Sequence, residues 1–410
     1  MARLWLVIVA IGLSFSAGPA AFVADVDAKT LARPTVVVVA PLSGDAAPVG
    51  EQLLNAARLA ASEYDLTIES IDEEEGVADV GRQLARLAER ADVVAVVGPM
   101  RRRNARPLAQ RTQALGLPSL IFSSTTGVEH IGGAIFRARL SAEEQAAQLL
   151  DYADDELELQ RLALLAPETD YGGELVRHLV DEARRREVVV AALVQYDEGT
   201  TDFAPALETL MGKRAAVGRN RRVGDRRADR WGTIALNREG SVDFDGLIIA
   251  DHHSTVARML PFLSRVGIST AADEGTSVQL LGLSGWRGDG LALAGQRAKG
   301  AIFFDTFGGA DDGNRALEVV SHFRAELDSD PTTPEVEFYD LIGMVATALE
   351  GADSYEDWRA SVAAYLYSDN AYEGAAGTWR FDAAGAPNRR LSPFLVIDNG
   401  QWVRDDEGRR

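Results

Sequence analysis

The chain has 410 residues, of which 46% are hydrophobic and 25% are charged, and its net charge at pH 7 is −20. This length fits one large or two medium-sized soluble domains, and the negative charge argues against binding to nucleic acid or to anionic lipid. Because the chain has no cysteine, disulfides, thiol catalysis, cysteine-bound zinc and a lipid-modified N-terminal cysteine are excluded.

Residues 1–28 have the pattern of a secretory signal peptide. A positive charge within residues 1–3 precedes an apolar run at 4–15, and small residues follow this run. A run of this length is typical of a signal peptide and is short for a membrane-spanning helix. We therefore predict export to the periplasm and no membrane insertion after signal cleavage, with the cleavage site between residues 16 and 28. An uncleaved membrane anchor is the alternative.

Two stretches, residues 35–61 and 92–126, share one pattern. Each opens with a short apolar run, at 36–40 and 93–97, that ends in a turn and is followed by an amphipathic segment. Such runs predict strands buried on both faces of a parallel sheet. Turns at the carboxyl ends of parallel strands form the ligand site in open α/β sheets. We therefore expect both turns to face one crevice that binds a small molecule.

Strands and helices alternate along the rest of the chain. Further strands are predicted over 66–71, 117–122, 161–166, 188–196, 244–250, 278–283 and 301–304. Helices are predicted over 80–90, 106–115, 141–151, 171–185, 202–211, 254–266, 318–327, 335–350 and 355–367. Residues 377–381 and 391–403 predict a terminal hairpin with a turn at 398–400. About a dozen strands exceed one open sheet, which indicates two α/β lobes, each a mainly parallel sheet flanked by helices.

One segment interrupts this alternation. Residues 212–240 are polar, and residues 212–230 carry eight basic and two acidic side chains. We interpret this segment as a basic insertion in the second lobe. A solvated surface loop and a contact site for an acidic partner surface are the two alternatives.

Three of these stretches resemble the leucine/isoleucine/valine-type periplasmic binding proteins, which have the type I fold. The opening of that family is similar to VVAPLSGDAAPVGEQLLNAARLA, and its next landmark is similar to VVGPMRRRNARPLAQRTQALGLPSLIFSSTT. A stretch of its second lobe resembles ETDYGGELVRHLVDEARRREVVVAALVQYDEGTTDFAPALETL. The resemblance implies two lobes joined by three crossovers. Lobe 1 is expected to comprise 34–139 plus 306–375, and lobe 2 is expected to comprise 140–305 plus 376–403.

The resemblance also implies a ligand site between the lobes. The implied ligand-binding residues are Ser43, Arg101, Arg102, Arg103, Ser124, Thr126, Tyr171, His252, Ser284 and Trp286. In amino-acid-binding relatives a serine stands where this chain has its three arginines, and a glutamate that pairs with the ligand ammonium stands at Ser284. The resemblance therefore implies a small polar or anionic ligand rather than an ordinary free amino acid.

Two of these assignments leave alternatives open. The three arginines are either an anion clamp, which suits the arginine fork, or a solvated helix start. A basic helix start also opposes the helix dipole, so we expect a compensating anion there. Trp286 either stacks on the ligand or packs at the rim of the cleft.

Other segments of the chain resemble a different group of proteins with this fold. DFDGLIIADHH, QLLGLSGW and GAIFFDTF are similar to penicillin-binding-protein activators, the partners of peptidoglycan synthases. This chain departs from that branch because it lacks a lipid-bearing cysteine and an N-terminal repeat domain. Two functions follow from the resemblances. The chain is either the solute-binding component of an ABC importer, with a membrane permease as partner, or a regulator that contacts a peptidoglycan synthase.

The sequence predicts no enzyme, cofactor or metal site. Asp251, His252 and His253 have metal-binding side chains, but adjacent residues leaving a strand point in different directions and no third ligand is evident. Ser284 lies in a near match to a nucleophile elbow, in which the second glycine comes one position early.

Overall fold

A computed structural model of the protein describes residues 33–212, 243–269, 276–352 and 355–405. The predicted signal segment, residues 1–28, lies outside the described residues, and so does the basic insertion apart from residue 212. Within the described ranges, no helix combines the length and the apolar character that crossing a membrane requires.

The first sheet contains five parallel strands. They are β1 (Thr35–Ala40), β2 (Thr67–Asp72), β3 (Val93–Val97), β4 (Ser119–Ile121) and β5 (Ile135–Arg137). Their spatial order is β2-β1-β3-β4-β5, and every neighbouring pair is parallel. Every residue of β1 and β3 is buried, which confirms the prediction of strands covered on both faces. The short strand β5 was not predicted.

The remaining strands form a second sheet and two small pairs. They are β6 (Arg161–Pro167), β7 (Val189–Tyr196), β8 (Gly246–Ile249), β9 (Ile268–Ser269), β10 (Thr276–Ser277), β11 (Gln279–Gly282), β12 (Ile302–Asp305), β13 (Tyr372–Gly374), β14 (Gly377–Trp379), β15 (Ser392–Val396) and β16 (Trp402–Arg404). The second sheet has the order β16-β15-β12-β11-β8-β6-β7. Strands β15 and β16 pair antiparallel with their neighbours, and the other pairs are parallel.

Helices cover both sheets. They are α1 (Ala47–Glu63), α2 (Val77–Ala88), α3 (Arg102–Ala114), α4 (Ala142–Asp155), α5 (Asp170–Arg185), α6 (Ala204–Leu210), α7 (His253–Arg265), α8 (Asp289–Ala294), α9 (Asn314–Leu327), α10 (Thr333–Leu349) and α11 (Tyr355–Leu366). The capping box at the start of α4 is confirmed, because the Ser141 hydroxyl and the Glu144 carboxylate each accept from the other's backbone N–H. The short helix α8 was not predicted.

The predicted terminal hairpin is partly wrong. The turn at 398–400 joins β15 to β16 as expected, but β14 pairs with β13 in a separate hairpin. The buried carboxylate of Asp340 on α10 explains the difference. It accepts the backbone N–H groups of Ala375 and Ala376 at 2.8 Å each, and the indole N–H of Trp379 at 3.0 Å. These bonds fix the turn between β13 and β14 against α10.

The hydrophobic cores divide the fold into two lobes. One core combines residues from 36–138 with residues from 307–381, around the first sheet, α1 and α10. Two further clusters cover the faces of the second sheet, with residues from 142–304 and from 394–396. The chain therefore passes between the lobes three times. The lobe boundaries implied by the resemblance stay a prediction. Residues 376–381, which it placed in lobe 2, include side chains that pack in the core of lobe 1.

Buried ion pairs hold the first two passages. At the first, the Arg137 guanidinium on β5 donates two hydrogen bonds of 2.8 Å to the Glu144 carboxylate on α4. At the second, the fully buried Asp305 accepts a bond of 2.5 Å from Arg287 and one of 2.7 Å from the Thr333 hydroxyl. Because each set of partners comes from both lobes, these contacts tie the lobes together at the passages.

The third passage is held in the same way. Arg389 donates to the Glu337 carboxylate at 2.6 Å and to the Ala376 carbonyl at 2.5 Å. Its guanidinium also lies over the Trp379 ring, 3.5 Å from the centroid. The side chains of Arg389 and Glu337 are 2% and 4% exposed, so this pair is shielded from water.

Asp305→Asn tests the second passage. The substitution leaves the Arg287 guanidinium buried without its carboxylate partner. We therefore expect the free energy of unfolding to fall by about 3 kcal/mol. Asp330→Asn is the matched control, because it breaks an arginine–aspartate pair with Arg324 whose side chains are 55% and 65% exposed. The control is expected to cost less than about 1 kcal/mol.

Denaturant unfolding of the two variants measures both values. Equal, small losses would show that the Arg287–Asp305 pair does not stabilise the passage.

Candidate functional site

A cavity of about 670 Å³ lies between the lobes, at the carboxyl ends of strands from both sheets. Five of the ten predicted ligand-binding residues line it. They are Arg102, Ser124, Tyr171, His252 and Ser284. Residues that follow strands of both sheets line the cavity. The turn at 41–44 after β1, which was expected to face the same crevice, contributes no residue to its lining.

The turn after β3 brings Arg102 to this cavity. Gly98 in that turn has a φ of 112° and packs directly against the Val39 carbonyl, where a Cβ atom would collide with the backbone. The chain can therefore cross closely over β1 before α3 begins at Arg102. The helix begins four residues earlier than predicted, with Pro107 inside it.

A buried glutamate explains how α3 begins with basic residues. The Glu73 side chain accepts the backbone N–H groups of Met100 and Arg101 at 3.0 and 3.1 Å, and the Asn104 amide at 3.0 Å. A carboxylate at a helix N-terminus satisfies free N–H groups and stabilises the helix dipole. Burial raises the pKa of Glu73, and these hydrogen bonds oppose the shift. The protein itself thus supplies an anion at this helix start.

Two of the three arginines do not reach the cavity. The Arg101 guanidinium pairs with Glu74 at 2.8 Å, and the Arg103 guanidinium pairs with the same carboxylate. Both guanidinium groups are therefore held within lobe 1, by one shared carboxylate. Of the three arginines in the anion-clamp alternative, Arg102 alone lines the cavity, because Arg101 and Arg103 pair with Glu74.

Arg102 bridges the two lobes. Its guanidinium donates to the Ser124 hydroxyl at 3.2 Å, and it pairs with the Glu174 carboxylate at 2.5 Å. Ser124 follows β4 in lobe 1, whereas Glu174 lies on α5 in lobe 2. An ion pair between the protein's own side chains therefore spans the cleft.

The first turn of α5 and the start of α4 form the adjoining wall. The Tyr171 hydroxyl donates to the Gln145 side-chain oxygen at 2.7 Å. Burial raises the pKa of Tyr171 to about 12, so the phenol is neutral at physiological pH. Thr169 caps α5 by accepting the Gly172 N–H at 3.0 Å. This wall presents uncharged polar groups to the cavity.

The turn after β8 adds a further part of the cavity lining in lobe 2. His252 is the N-cap residue of α7 and its side chain is exposed at the cavity. The Asp251 carboxylate accepts the backbone N–H of His252 and the Tyr196 hydroxyl, each at 2.6 Å. The His253 Nδ1 instead accepts the Gly290 N–H at 3.1 Å, within lobe 2. Across the described part of the chain, no group of three or more side chains is arranged to hold a metal ion.

Three further predicted residues lie outside the cavity lining. The Ser43 side chain hydrogen-bonds to Asp72 in the turn after β1. Thr126 is solvent-exposed. Trp286 is 1% exposed, and its indole N–H donates to the Ile249 carbonyl at 2.9 Å. The stacking alternative for Trp286 is therefore wrong in this structure, because the ring is enclosed in the core of lobe 2.

Several residues of the cavity lining were not predicted, among them Arg139, Gln145 and Asp251. Glu174, which pairs with the lining residue Arg102, was not predicted either. Glu174 follows Tyr171 by three positions on α5, a spacing that places both side chains on one helix face. That spacing was a usable signal. Arg139 and Gln145 flank the first passage between the lobes, where the sequence has no distinctive pattern.

The chain matches a known protein family and is similar to several solved structures. A family model described as periplasmic binding protein matches residues 34–401. One similar solved structure is the substrate-binding protein of a branched-chain amino acid transporter from Streptococcus pneumoniae, in complex with isoleucine. It is 18% identical to this chain, with a TM-score of 0.65. The match covers 90% of this chain and 97% of that protein. A search of curated proteins finds no significant match.

Two other solved structures are similar. An ABC transporter substrate-binding protein from Sphaerobacter thermophilus is 19% identical, with a TM-score of 0.70 over 91% of this chain and 96% of its own. A solute-binding protein of an ABC transporter from R. palustris, solved with benzoate, is 13% identical, with a TM-score of 0.65 over 91% and 95%. At these identities the similarity shows a shared fold.

Glu174→Gln tests the ion pair across the cleft. The substitution removes the charge that holds Arg102. An ion pair with this exposure contributes on the order of 1 kcal/mol, so its loss shifts a closed–open equilibrium about fivefold toward the open state. We therefore expect a larger radius of gyration in solution scattering of the ligand-free variant. High salt is expected to move the wild type in the same direction.

Glu182→Gln is the matched control for this experiment. Glu182 lies on the same helix, but its partners Arg185 and Arg186 belong to lobe 2. The control should keep the wild-type radius of gyration. Identical radii for all three proteins would contradict a role of the Arg102–Glu174 pair in closure.

Proposed function

This chain belongs to the periplasmic binding protein family, and on that premise we propose that it is an exported solute-binding protein that closes on a small polar ligand. The observation that carries the proposal is the cavity of about 670 Å³ between the lobes, lined by polar side chains from both. Its size fits the usual range for small-molecule sites. The solved neighbours are substrate-binding proteins and not enzymes, and this chain is assigned no catalytic activity.

The proposed ligand touches both lobes. Arg102 and Ser124 contact it from lobe 1, and Tyr171, His252 and Ser284 contact it from lobe 2. A ligand that binds both walls stabilises the closed state relative to the open state, by its difference in affinity for the two. Closure brings the outer edges of the lobes together, and this joint surface is what we propose a membrane permease recognises.

Export and transport complete the proposal. The pattern of residues 1–28 supports delivery to the periplasm, and the match to ABC transporter substrate-binding proteins supports a role in import. The chain would then deliver its ligand to the permease of an ABC importer.

One observation favours the second candidate function, a regulator that contacts a peptidoglycan synthase. The Arg102–Glu174 pair joins side chains of the two lobes directly across the cleft. A protein that acts only through its surface does not require a ligand for closure. The two functions therefore differ in whether small molecules stabilise the protein.

A thermal-shift scan tests the proposal. Amino acids, carboxylates, neutral polar solutes and peptidoglycan fragments are added to the purified protein. A ligand present at 100 times its Kd stabilises the native state by about 2.7 kcal/mol, which raises the melting temperature by several degrees. We expect at least one class of polar solute to produce this shift.

Tyr171→Phe then locates the site of the compound that shifts the protein. The substitution removes the hydroxyl at the cavity wall, and we expect about tenfold weaker binding by calorimetry. Tyr365→Phe is the matched control, because Tyr365 packs against the core of lobe 1 outside the cavity lining. Absence of any shift, together with capture of a penicillin-binding protein by the immobilised chain, would favour the regulator instead.

A further inference from the structure

We propose that Arg139 anchors a carboxylate group of the ligand, an inference that rests on the solute-binding function proposed above. Arg139 follows β5 at the first passage between the lobes and lines the cavity. Its side chain is 33% exposed, so part of it is accessible to a ligand. The proposed anchor therefore lies at the passage after β5 and not in the turn after β3.

The charge of Arg139 is not cancelled by its neighbours. Its nearest carboxylate in the described part of the chain is Glu337, at 3.5 Å, which exceeds a normal hydrogen bond. Glu337 is already held by Arg389 at 2.6 Å and by the Thr306 hydroxyl at 3.0 Å, both through the other oxygen. The oxygen nearest Arg139 is buried and accepts no hydrogen bond. Two guanidinium groups thus share one carboxylate, which leaves a net charge of about +1.

Arg102, the other arginine of the cavity lining, has a carboxylate partner of its own. Arg102 is paired with Glu174 at 2.5 Å, so this pair is neutral. The acidic side chains of the lining, Asp251 and Glu198, follow the strands of lobe 2 on the other wall. The Asp251 carboxylate accepts two hydrogen bonds from its own surroundings. Among the charged groups of the lining, Arg139 is therefore the cation that lacks a dedicated partner.

The guanidinium is also held in place. It lies over the Phe122 ring, 5.0 Å from the centroid, and this contact orients its plane. Gln145, which lines the same cavity, donates to the Leu140 carbonyl at 2.9 Å and accepts the Tyr171 hydroxyl. Fixed polar groups of this kind lower the entropy cost of binding.

The charge and geometry of Arg139 indicate which chemical group of the ligand it binds. A guanidinium donates two parallel hydrogen bonds to a planar carboxylate, with geometry that a single ammonium or hydroxyl does not match. One uncompensated positive charge balances one carboxylate. A phosphate carries closer to two negative charges and needs a second cation, whereas Arg102 is committed to Glu174. We therefore assign the ligand as a carboxylate.

Matched pairs of acids and amides test this assignment. The full-length protein is titrated with benzoate and benzamide, with 4-methylpentanoate and its amide, and with leucine and leucinamide, and melting temperatures and calorimetric Kd values are recorded. At least one acid is expected to bind, and its amide is expected to bind about 30-fold more weakly. In Arg139→Gln the acid should bind as weakly as the amide does to the wild type.

Two further variants separate a ligand contact from a structural effect. Arg139→Lys retains the charge and should restore part of the preference for the acid. Arg106→Gln removes an exposed arginine outside the cavity lining that donates to the Gly127 carbonyl at 3.4 Å, and the variant should bind as the wild type does. The melting temperatures of the ligand-free variants show whether each remains folded.

Several outcomes overturn the assignment. They are equal binding of acids and amides, an acid preference that survives Arg139→Gln in a folded variant, and the absence of binding by all the acids. If a neutral solute binds the wild type and Arg139→Gln alike, the solute-binding function stands and the carboxylate assignment fails. If no compound binds in either scan, both fail.

Discussion

Buried ion pairs at the three passages between the lobes are the constraint on which the site depends. Charged groups are costly to bury, and each of these carboxylates meets an arginine within 2.8 Å. The pairs fix where the chain leaves one lobe and enters the next. They thereby fix how the ends of two separate sheets face each other. The cavity is a product of this arrangement, because its walls belong to different lobes and no single sheet contains it.

The pairing of arginines with carboxylates also determines which charged side chains of the cavity lining have no partner of their own. Glu74 pairs with Arg101 and Arg103, Glu174 pairs with Arg102, and Glu337 pairs with both Arg389 and Arg139. Arg139 in the cleft thus lacks a carboxylate of its own, although the protein as a whole is acidic. The proposed carboxylate ligand follows from this unequal pairing, which depends on distances between the lobes.

Local patterns in the sequence predicted most of the fold. Apolar runs bounded by Gly and Pro located β1 and β3, and the Ser141–Glu144 capping box located the start of α4, because these signals depend on neighbours in the chain. Of the ten ligand-binding residues predicted from the sequence, five line the cavity. Which arginine of three faces the cleft depends on Glu73 and Glu74, 27 or more residues away. Arg139 was missed because its role depends on Glu337, which joins it only in the folded lobes.

The edge of the second sheet has a consequence for the order of assembly. Strand β12 has β11 on one side, and its other side is covered only by β15, through pairs such as Ile302 with Leu395. A chain that emerges from its N-terminus, from a ribosome or through a translocation pore, presents β12 with an open edge until β15 follows. Lobe 2 therefore completes its hydrogen bonding last. Until then its unpaired edge can pair with a strand of another chain.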